Sequence, residues 1–164
     1  MGVKFIALQL GNELNLSEVT YNSMSIASIG VAAHECGHAI QDHTKMGILN
    51  FQMKIVPVVN FASQLSMPAI LIGLLLGMAG LMQLGIILFS VTLVYQLITL
   101  PIEFNASSNA LKTLRSNGMM DETELAGVKK VLTAAALTYV AAAATTIMQL
   151  LRFVILANNS KRRR

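Results

Sequence analysis

The feature that most constrains this chain is a run of 48 residues, from 55 to 102, without a single charged side chain. A helix needs about 20 residues to cross the hydrocarbon core of a bilayer, so this run is long enough for two crossings. Glycines cluster between Gly77 and Gly85, which favours a break there. The sequence therefore predicts a hairpin of two membrane helices, from about Val58 to Ala79 and from about Leu84 to Leu100.

A third uncharged stretch, 131–151, predicts a third span. It is rich in Ala and Thr, which suits close packing between helices, because small side chains let backbones approach. Only 12% of all residues are charged, whereas a soluble domain carries about 25%. Four of the twelve basic residues form the tail Lys161–Arg164, which suits anionic lipid headgroups. The net charge of +4 therefore gives no reason to expect nucleic acid as a partner.

Polar segments flank the predicted spans and are expected to hold two further helices. One runs from about Asn22 to Thr44, with Asn22 or Ser23 as its N-cap and Lys45-Met46-Gly47 as its stop. The other lies within 103–130 and has Gly118 as its C′ residue. The acidic residues 121–124 then open the last helix.

The predicted fold is thus an all-α integral membrane protein of about three spans, with at most a short N-terminal β piece (residues 3–10, extending as far as Leu16). The length of 164 residues suits one domain. Its expected parts are the active-site helix region 1–54, the hairpin 55–102, the polar helix 103–130, the third span 131–157 and the basic tail 158–164.

The sequence HECGH, residues 34–38, is the pattern that carries chemistry. His34 and His38 are four residues apart, so both rings lie on one helix face and can bind the same metal ion. Glu35 is rotated by about 100° and is placed to act as a general base, as in the zinc motif H-E-x-x-H. The alternative is that His34 and His38 are two helix-face histidines without a metal, and that Glu35 pairs with a neighbouring cation. Cys36 faces elsewhere and is expected to be a packing residue.

A catalytic zinc ion usually has three protein ligands, so a third one has to be found. In one known zinc motif a third His ligand follows on the same segment, which would need Gly at position 41 and His at position 44. The chain has Gln41 and Thr44, so this motif is absent. His43 is one position off, so we expect it to be solvated. Glu103 ends the uncharged run, and a charge at that boundary is costly without a partner. Two spans return the chain to the same membrane face, which makes Glu103 the candidate, although a water-exposed carboxylate is the alternative.

The segments HECGHAIQ at 34–41, LPIEFNAS at 100–107 and KVLTAAALTYVAAA at 130–143 closely resemble the YugP-type membrane zinc metallopeptidases of bacteria. The resemblance runs from about Leu16 to Leu156. It implies a peptidase of the gluzincin kind, in which His34, His38 and Glu103 bind Zn²⁺ and Glu35 is the catalytic base.

Two departures from that family bear on activity. Its second motif usually reads E-F-D-A-S, and this chain has Asn105 in place of the Asp. If that carboxylate orients a ligand histidine, its loss is expected to weaken metal binding by about tenfold or more. Family members are also usually longer before the active-site helix, so we expect a short homologue or a truncated form, with the substrate-binding strand as a candidate for the missing part.

The predicted function is a zinc-dependent, membrane-bound endopeptidase. The alternative is an inactive metal-binding membrane scaffold, which both departures favour. Another class, the intramembrane zinc proteases, pairs H-E-x-x-H with an Asp in a later span. No Asp occurs between Asp42 and Asp121, so the sequence excludes that class. The expected partners are the lipid bilayer and a peptide substrate. The expected location is the bacterial plasma membrane with the site at its boundary, and seven basic residues against five slightly favour the cytoplasmic side.

Overall fold

The computed structural model describes residues 16–162, and within them the chain consists of helices and the turns that connect them, without a β-strand. The helices are α1 (Glu18–Tyr21), α2 (Ile26–His43), α3 (Gly47–Leu75), α4 (Ala79–Ser116) and α5 (Glu122–Arg162). The all-α prediction is confirmed. The β piece predicted at residues 3–10 lies outside the described residues, as do Arg163 and Arg164 of the basic tail.

Three of these helices are long and apolar enough to cross a membrane: Gly47–Leu75, Ala79–Ser116 and Glu122–Asn159. This confirms the three predicted spans. Each is longer than the roughly 20 residues that a crossing needs, so each has turns to spare beyond the bilayer.

The chain divides into two compact units. The first unit is Met1–Asn50 with Pro101–Leu137, and the second unit is Phe51–Leu100 with Thr138–Arg164. Helices α3, α4 and α5 each begin in one unit and end in the other. The polar ends of α4 and α5 therefore belong to the same unit as α2.

Helix α2 begins later than the sequence indicates. Its N-cap is Ser25, whose Oγ accepts a hydrogen bond from the backbone N–H of Ser28 at 3.1 Å. Asn22, one of the two predicted caps, instead ends the short helix α1, where its N–H donates to the carbonyl of Glu18. Several adjacent polar residues are able to cap a helix, and the one chosen depends on where the preceding turn ends.

The stop predicted after α2 is present. Lys45 adopts φ 52°, and the next N–H, of Met46, donates to the carbonyl of Gln41 at 2.9 Å. Gly118 closes α4 in the same way, with φ 61° and a hydrogen bond of 3.2 Å from Met119 N–H to Leu114 O. Both ends are Schellman motifs, in which a left-handed residue lets late N–H groups satisfy the last carbonyls of the helix.

The hairpin in the second unit has a tighter turn than predicted. It spans only residues 76–78, with Gly77 at φ 65°. Gly85 lies inside α4, where a Cβ atom would come within 2.8 Å of the backbone oxygen of Ser66 on α3. Gly73 on α3 faces Met82 in the same manner, at 2.9 Å from its Cα. These glycines allow close packing between two helices, and only Gly77 makes the turn.

Helix α4 does not end at Leu100 as predicted but continues through Pro101 to Ser116. Proline removes one N–H donor, so the carbonyl four residues earlier loses its helical partner. Such a loss is tolerated in membrane helices, where side chains and neighbouring helices satisfy the freed groups. The predicted second span and the predicted polar helix are therefore one continuous element.

The core of the first unit is built by three helices. Its buried residues are Ala33 of α2, Ala110 and Leu114 of α4, and Leu125, Val128 and Leu132 of α5. Helix α5 enters this core through a reciprocal capping box. Asp121 accepts from Glu124 N–H at 2.7 Å, while Glu124 accepts from Asp121 N–H at 3.0 Å. The acidic start that the sequence predicts for this helix is therefore an N-cap.

Candidate metal centre

Helices α2 and α4 meet at small residues. Gly37 lies against Ala106, which has no exposed surface, and a Cβ atom at position 37 would lie 2.9 Å from the carbonyl carbon of Ala106 and closer still to its oxygen. Ala33 of α2 and Ala110 of α4, one turn further along each helix, belong to the same buried core. The two backbones therefore approach closely enough for short polar groups on their facing sides to touch.

Three potential metal ligands come together beside this contact. Glu103 Oε2 lies 3.1 Å from His34 Nε2 and 3.8 Å from His38 Nε2. The two imidazole rings are perpendicular, with their centroids 4.7 Å apart. One ligand atom from each of the three residues lies within 4.8 Å of the other two. The structure thus brings together the three residues predicted as ligands, although Glu103 is 65 positions after His38.

This arrangement fits a zinc ion. Two atoms bound to one tetrahedral zinc at about 2.0–2.1 Å are about 3.4 Å apart. The separations of 3.1 and 3.8 Å from Glu103 Oε2 to the two imidazole nitrogens lie on either side of that value. Two imidazole nitrogens and one carboxylate oxygen also form a ligand set that zinc uses in catalytic sites, where the fourth position stays open.

The outer nitrogen of each imidazole has a hydrogen-bond partner. His38 Nδ1 lies 2.9 Å from Gln41 Oε1, and His34 Nδ1 lies 3.2 Å from Ser107 Oγ. Metal-binding histidines almost always use their second ring nitrogen in this way, which fixes the ring and leaves the other nitrogen for the ion. The inner nitrogens, both Nε2, are those that face Glu103.

The electrostatic environment of His38 favours a positive charge at the cluster. Burial lowers the pKa of His38, but the carboxylate of Glu103, 3.8 Å from its Nε2, raises it, with further increases from the hydrogen bond to Gln41 and the charge of Glu35. The net result is a pKa above the usual value. The negative charges of Glu103 and Glu35 that favour a proton on His38 also favour a metal cation at the same place.

Glu35 occupies a different position from the three clustered residues. It follows His34 on α2 and is only 9% exposed. Its carboxylate has no hydrogen bond from any residue in the described part of the chain, while its charge acts on His38 and Cys36. Glu35 therefore lies close to the cluster with its oxygens uncommitted to residues 16–162.

The remaining residues considered from the sequence lie outside the cluster. Asn105 makes no hydrogen bond to either histidine, and its Oδ1 accepts from Gln41 Nε2 at 2.9 Å and from Asn109 Nδ2 at 3.1 Å. His43 is exposed at the end of α2. Cys36 is half-buried, and burial, followed by the charge of Glu35, raises the pKa of its thiol.

Gln41 and Ser107 are the site residues that sequence reasoning missed. Gln41 was considered only as a departure from another ligand pattern. Their spacing carries a signal nonetheless, because Gln41 is three residues after His38 and Ser107 is four after Glu103. Residues at these spacings share a helix face with the ligand, which makes a polar side chain there a candidate support.

A family model described as "Putative neutral zinc metallopeptidase" matches residues 10–158, nearly the whole chain. The chain belongs to this family. It is also 51% identical over 148 residues to a Bacillus subtilis (strain 168) protein described as "Putative membrane protease YugP". The match covers 90% of this chain and 66% of that protein, so the chain spans just under two thirds of its relative's length. No solved structure matches the chain.

Membership of this zinc peptidase family confirms the resemblance seen in the sequence motifs. The cofactor of this family is zinc, and His34, His38 and Glu103 form a group that could hold that ion. The three long apolar helices agree with a relative described as a membrane protease. The chain is therefore a membrane protein of a zinc metallopeptidase family.

Proposed function

We propose that this chain is a zinc-dependent endopeptidase, with His34, His38 and Glu103 as the metal ligands and Glu35 as the general base. The observation that carries the proposal is the convergence of three ligand atoms within 4.8 Å from two distant parts of the chain. The zinc metallopeptidase family supports it further. Asn105 supports the ligands indirectly, because it accepts a hydrogen bond from Gln41, which in turn contacts His38.

The proposed chemistry is hydrolysis of a peptide bond. Held by His34, His38 and Glu103, a zinc ion would polarise the scissile carbonyl and lower the pKa of a bound water to about 7. Glu35 accepts the proton of the attacking water at a carboxylate oxygen and then delivers it to the leaving nitrogen. Its position next to His34, without a competing hydrogen bond from the described residues, supports this role.

The proposed setting is the boundary of the bacterial plasma membrane, with a protein or peptide as substrate. Glu103 follows directly on the 48-residue uncharged run, which supports a site at the membrane surface. Seven of the twelve basic residues belong to the segments on the site's side of the predicted spans, and five to the other side. The positive-inside rule then favours a cytoplasmic site.

Metal content tests the ligands directly. The full chain, purified in detergent, is expected to retain one zinc ion per molecule, and Glu103→Ala is expected to lose it because only two protein ligands remain. Glu122→Ala is the matched control. Glu122 is in the same unit, and its carboxylate is exposed and paired with Arg115. Equal zinc affinity in the two variants would contradict the assignment of Glu103.

Activity on an unfolded protein tests the reaction itself. The parent is expected to cleave it, and a chelator should stop cleavage that zinc then restores. Stoichiometric zinc without turnover on any unfolded protein would favour the metal-binding scaffold instead. Cleavage that continues after the zinc has been removed would contradict a metal-dependent mechanism.

A further inference from the structure

We propose that Gln41 is a positioning residue that determines which ring nitrogen of His38 is available to the metal. The proposal rests on the proposed function only for the statement that His38 binds zinc. Gln41 is 1% exposed. Its Nε2 donates to Ile102 O at 2.8 Å and to Asn105 Oδ1 at 2.9 Å, and its Oε1 lies 2.9 Å from His38 Nδ1.

The carbonyl of Ile102 fixes the orientation of the Gln41 amide. A side-chain amide is able to turn over and exchange its oxygen and nitrogen, so its orientation follows from its partners. A backbone carbonyl only accepts hydrogen bonds, and the nitrogen of Gln41 must therefore face Ile102. The reverse orientation would place two acceptor oxygens 2.8 Å apart in a buried site.

The fixed amide in turn fixes the hydrogen on His38. Because Gln41 Oε1 is also only an acceptor, His38 Nδ1 must carry the hydrogen and donate it. A neutral imidazole has a single N–H, so the lone pair is then on Nε2. This is the nitrogen on the side of Glu103, at 3.8 Å from its Oε2. Gln41 thus presets His38 in the form that binds a metal through Nε2.

His34 takes its hydrogen position from Glu103 rather than from its outer partner, because its Nε2 lies 3.1 Å from the acceptor Glu103 Oε2. Its Nδ1 faces Ser107 Oγ at 3.2 Å, and a hydroxyl is able either to donate or to accept. Ser107 therefore holds the ring but does not select the position of the hydrogen. The two ligand histidines should therefore differ in the metal-free chain, with His38 in the Nδ1–H form and His34 in the Nε2–H form.

Asn105 supports Gln41 purely as an acceptor. Two N–H groups, from Gln41 and Asn109, point at its Oδ1. An amide oxygen accepts both as a carboxylate oxygen would, so this network does not require the Asp that the family motif carries. We expect Asn105→Asp to leave zinc affinity nearer to the parent than any change at Gln41 does.

The hydrogen position on His38 is measurable in the unaltered, metal-free chain. The chain has three histidines, and nitrogen NMR of the ¹⁵N-histidine-labelled protein distinguishes an Nδ1–H from an Nε2–H ring. The spectrum is recorded at about pH 9, because the pKa of His38 lies above the ordinary histidine value of about 6.5 and the neutral ring has to be observed. The signals of His38 are those lost in His38→Ala. An Nδ1–H ring at His38 is expected, and an Nε2–H ring would overturn the proposal even if no Gln41 variant folds.

Gln41→Met tests the consequence for the metal. It keeps the side-chain length but removes all three hydrogen bonds, and loss of such support typically costs about 10–100-fold in metal affinity. Gln52→Met is the matched control, because Gln52 is a half-buried glutamine of the second unit that donates to Thr99 Oγ1 at 2.8 Å. Zinc affinity is measured by competition with a chelator. Equal affinities in the two variants would overturn the proposal.

The two measurements together separate positioning from packing. If Gln41→Met weakens zinc binding and His38 now also populates the Nε2–H form, Gln41 selects the hydrogen position as proposed. If zinc binding weakens while His38 keeps only the Nδ1–H form, Gln41 acts through packing and the proposal is wrong. A parent that binds no zinc but shows Nδ1–H at His38 would refute the proposed function and leave the role of Gln41 in setting the ring supported.

Discussion

At the scale of single residues, Glu35 is where metal binding and chemistry are expected to separate. Glu35→Gln keeps the size of the side chain but cannot accept a proton. General-base catalysis contributes about 10²–10⁴-fold, so we expect that loss in kcat with unchanged zinc content. Glu18→Gln, at an exposed position on α1, is the control. Cleavage by Glu35→Gln at the rate of this control would show that another group moves the proton.

The residues of the site differ in how far the sequence predicts them. His34, Glu35 and His38 follow from spacing alone, because a helix places them regardless of the rest of the fold. The prediction of Glu103 as a ligand also requires the number of membrane spans between it and His38, because an even number returns the chain to the same face. Gln41 is harder, since its role depends on the carbonyl of Ile102, and no sequence pattern predicts which backbone oxygen faces a given side chain.

At the scale of the helices, the approach of α2 to α4 is what positions the ligands, and Gly37 controls it. Gly37→Ala places a methyl group against the backbone of Ala106, so the helices have to separate. Overpacking of this kind typically costs about 1–3 kcal/mol. We expect a lower Tm and weaker zinc binding, measured by thermal unfolding and chelator competition.

Gly47→Ala is the matched control for this change. Gly47 is also helical, and nothing lies within 4 Å of a Cβ atom built there. Alanine favours a helix over glycine by up to about 1 kcal/mol, so this variant should be as stable as the parent or more so. Gly37→Ala with the zinc affinity of Gly47→Ala would mean that the helix contact does not set the metal site.

The end of α2 gives a prediction of the opposite sign. Lys45 holds φ 52°, a left-handed conformation that costs most residues about 1–2 kcal/mol and glycine almost nothing. Lys45→Gly should therefore raise the free energy of unfolding by about 1 kcal/mol, after the added freedom of the unfolded chain is offset. Lys112→Gly, in the interior of α4, removes the same charge and should lower it by a similar amount. A lower stability of Lys45→Gly would contradict this account.

The helices were easier to predict than their ends. Long apolar runs identify the spans, since length and composition suffice. Gly85 misled the prediction of the hairpin turn, because glycine serves both turns and close helix packing, and only the position of α3 distinguishes the two uses. The predicted helix end at Leu100 was wrong because α4 continues through Pro101, and a membrane helix tolerates a missing N–H that a soluble one rarely does.

At the scale of the whole molecule, the order of spans implies which turns lie on which side of the membrane. In the second unit, the ring of Phe89 on α4 contacts that of Phe153 on α5, with centroids 5.4 Å apart. Phe89 is ten residues after the start of α4 and Phe153 is nine before the end of α5. At about 1.5 Å per residue, the start of α4 and the end of α5 lie at nearly the same distance along the helices from this ring contact. The turn at 76–78 and the end of α5 are therefore at the same end of the second unit.

Single cysteines test this arrangement in a Cys36→Ala background, which removes the chain's only thiol. Met78→Cys and Asn158→Cys, both at exposed positions, should react with an impermeant thiol reagent from the same side of sealed vesicles. Asn117→Cys, exposed at the turn before α5, should react only from the other side. The Cys36→Ala parent is the control and should not react. Labelling of positions 78 and 117 from the same side would mean that α4 does not cross the bilayer. Two spans would then no longer explain why Glu103 lies on the same membrane face as His38.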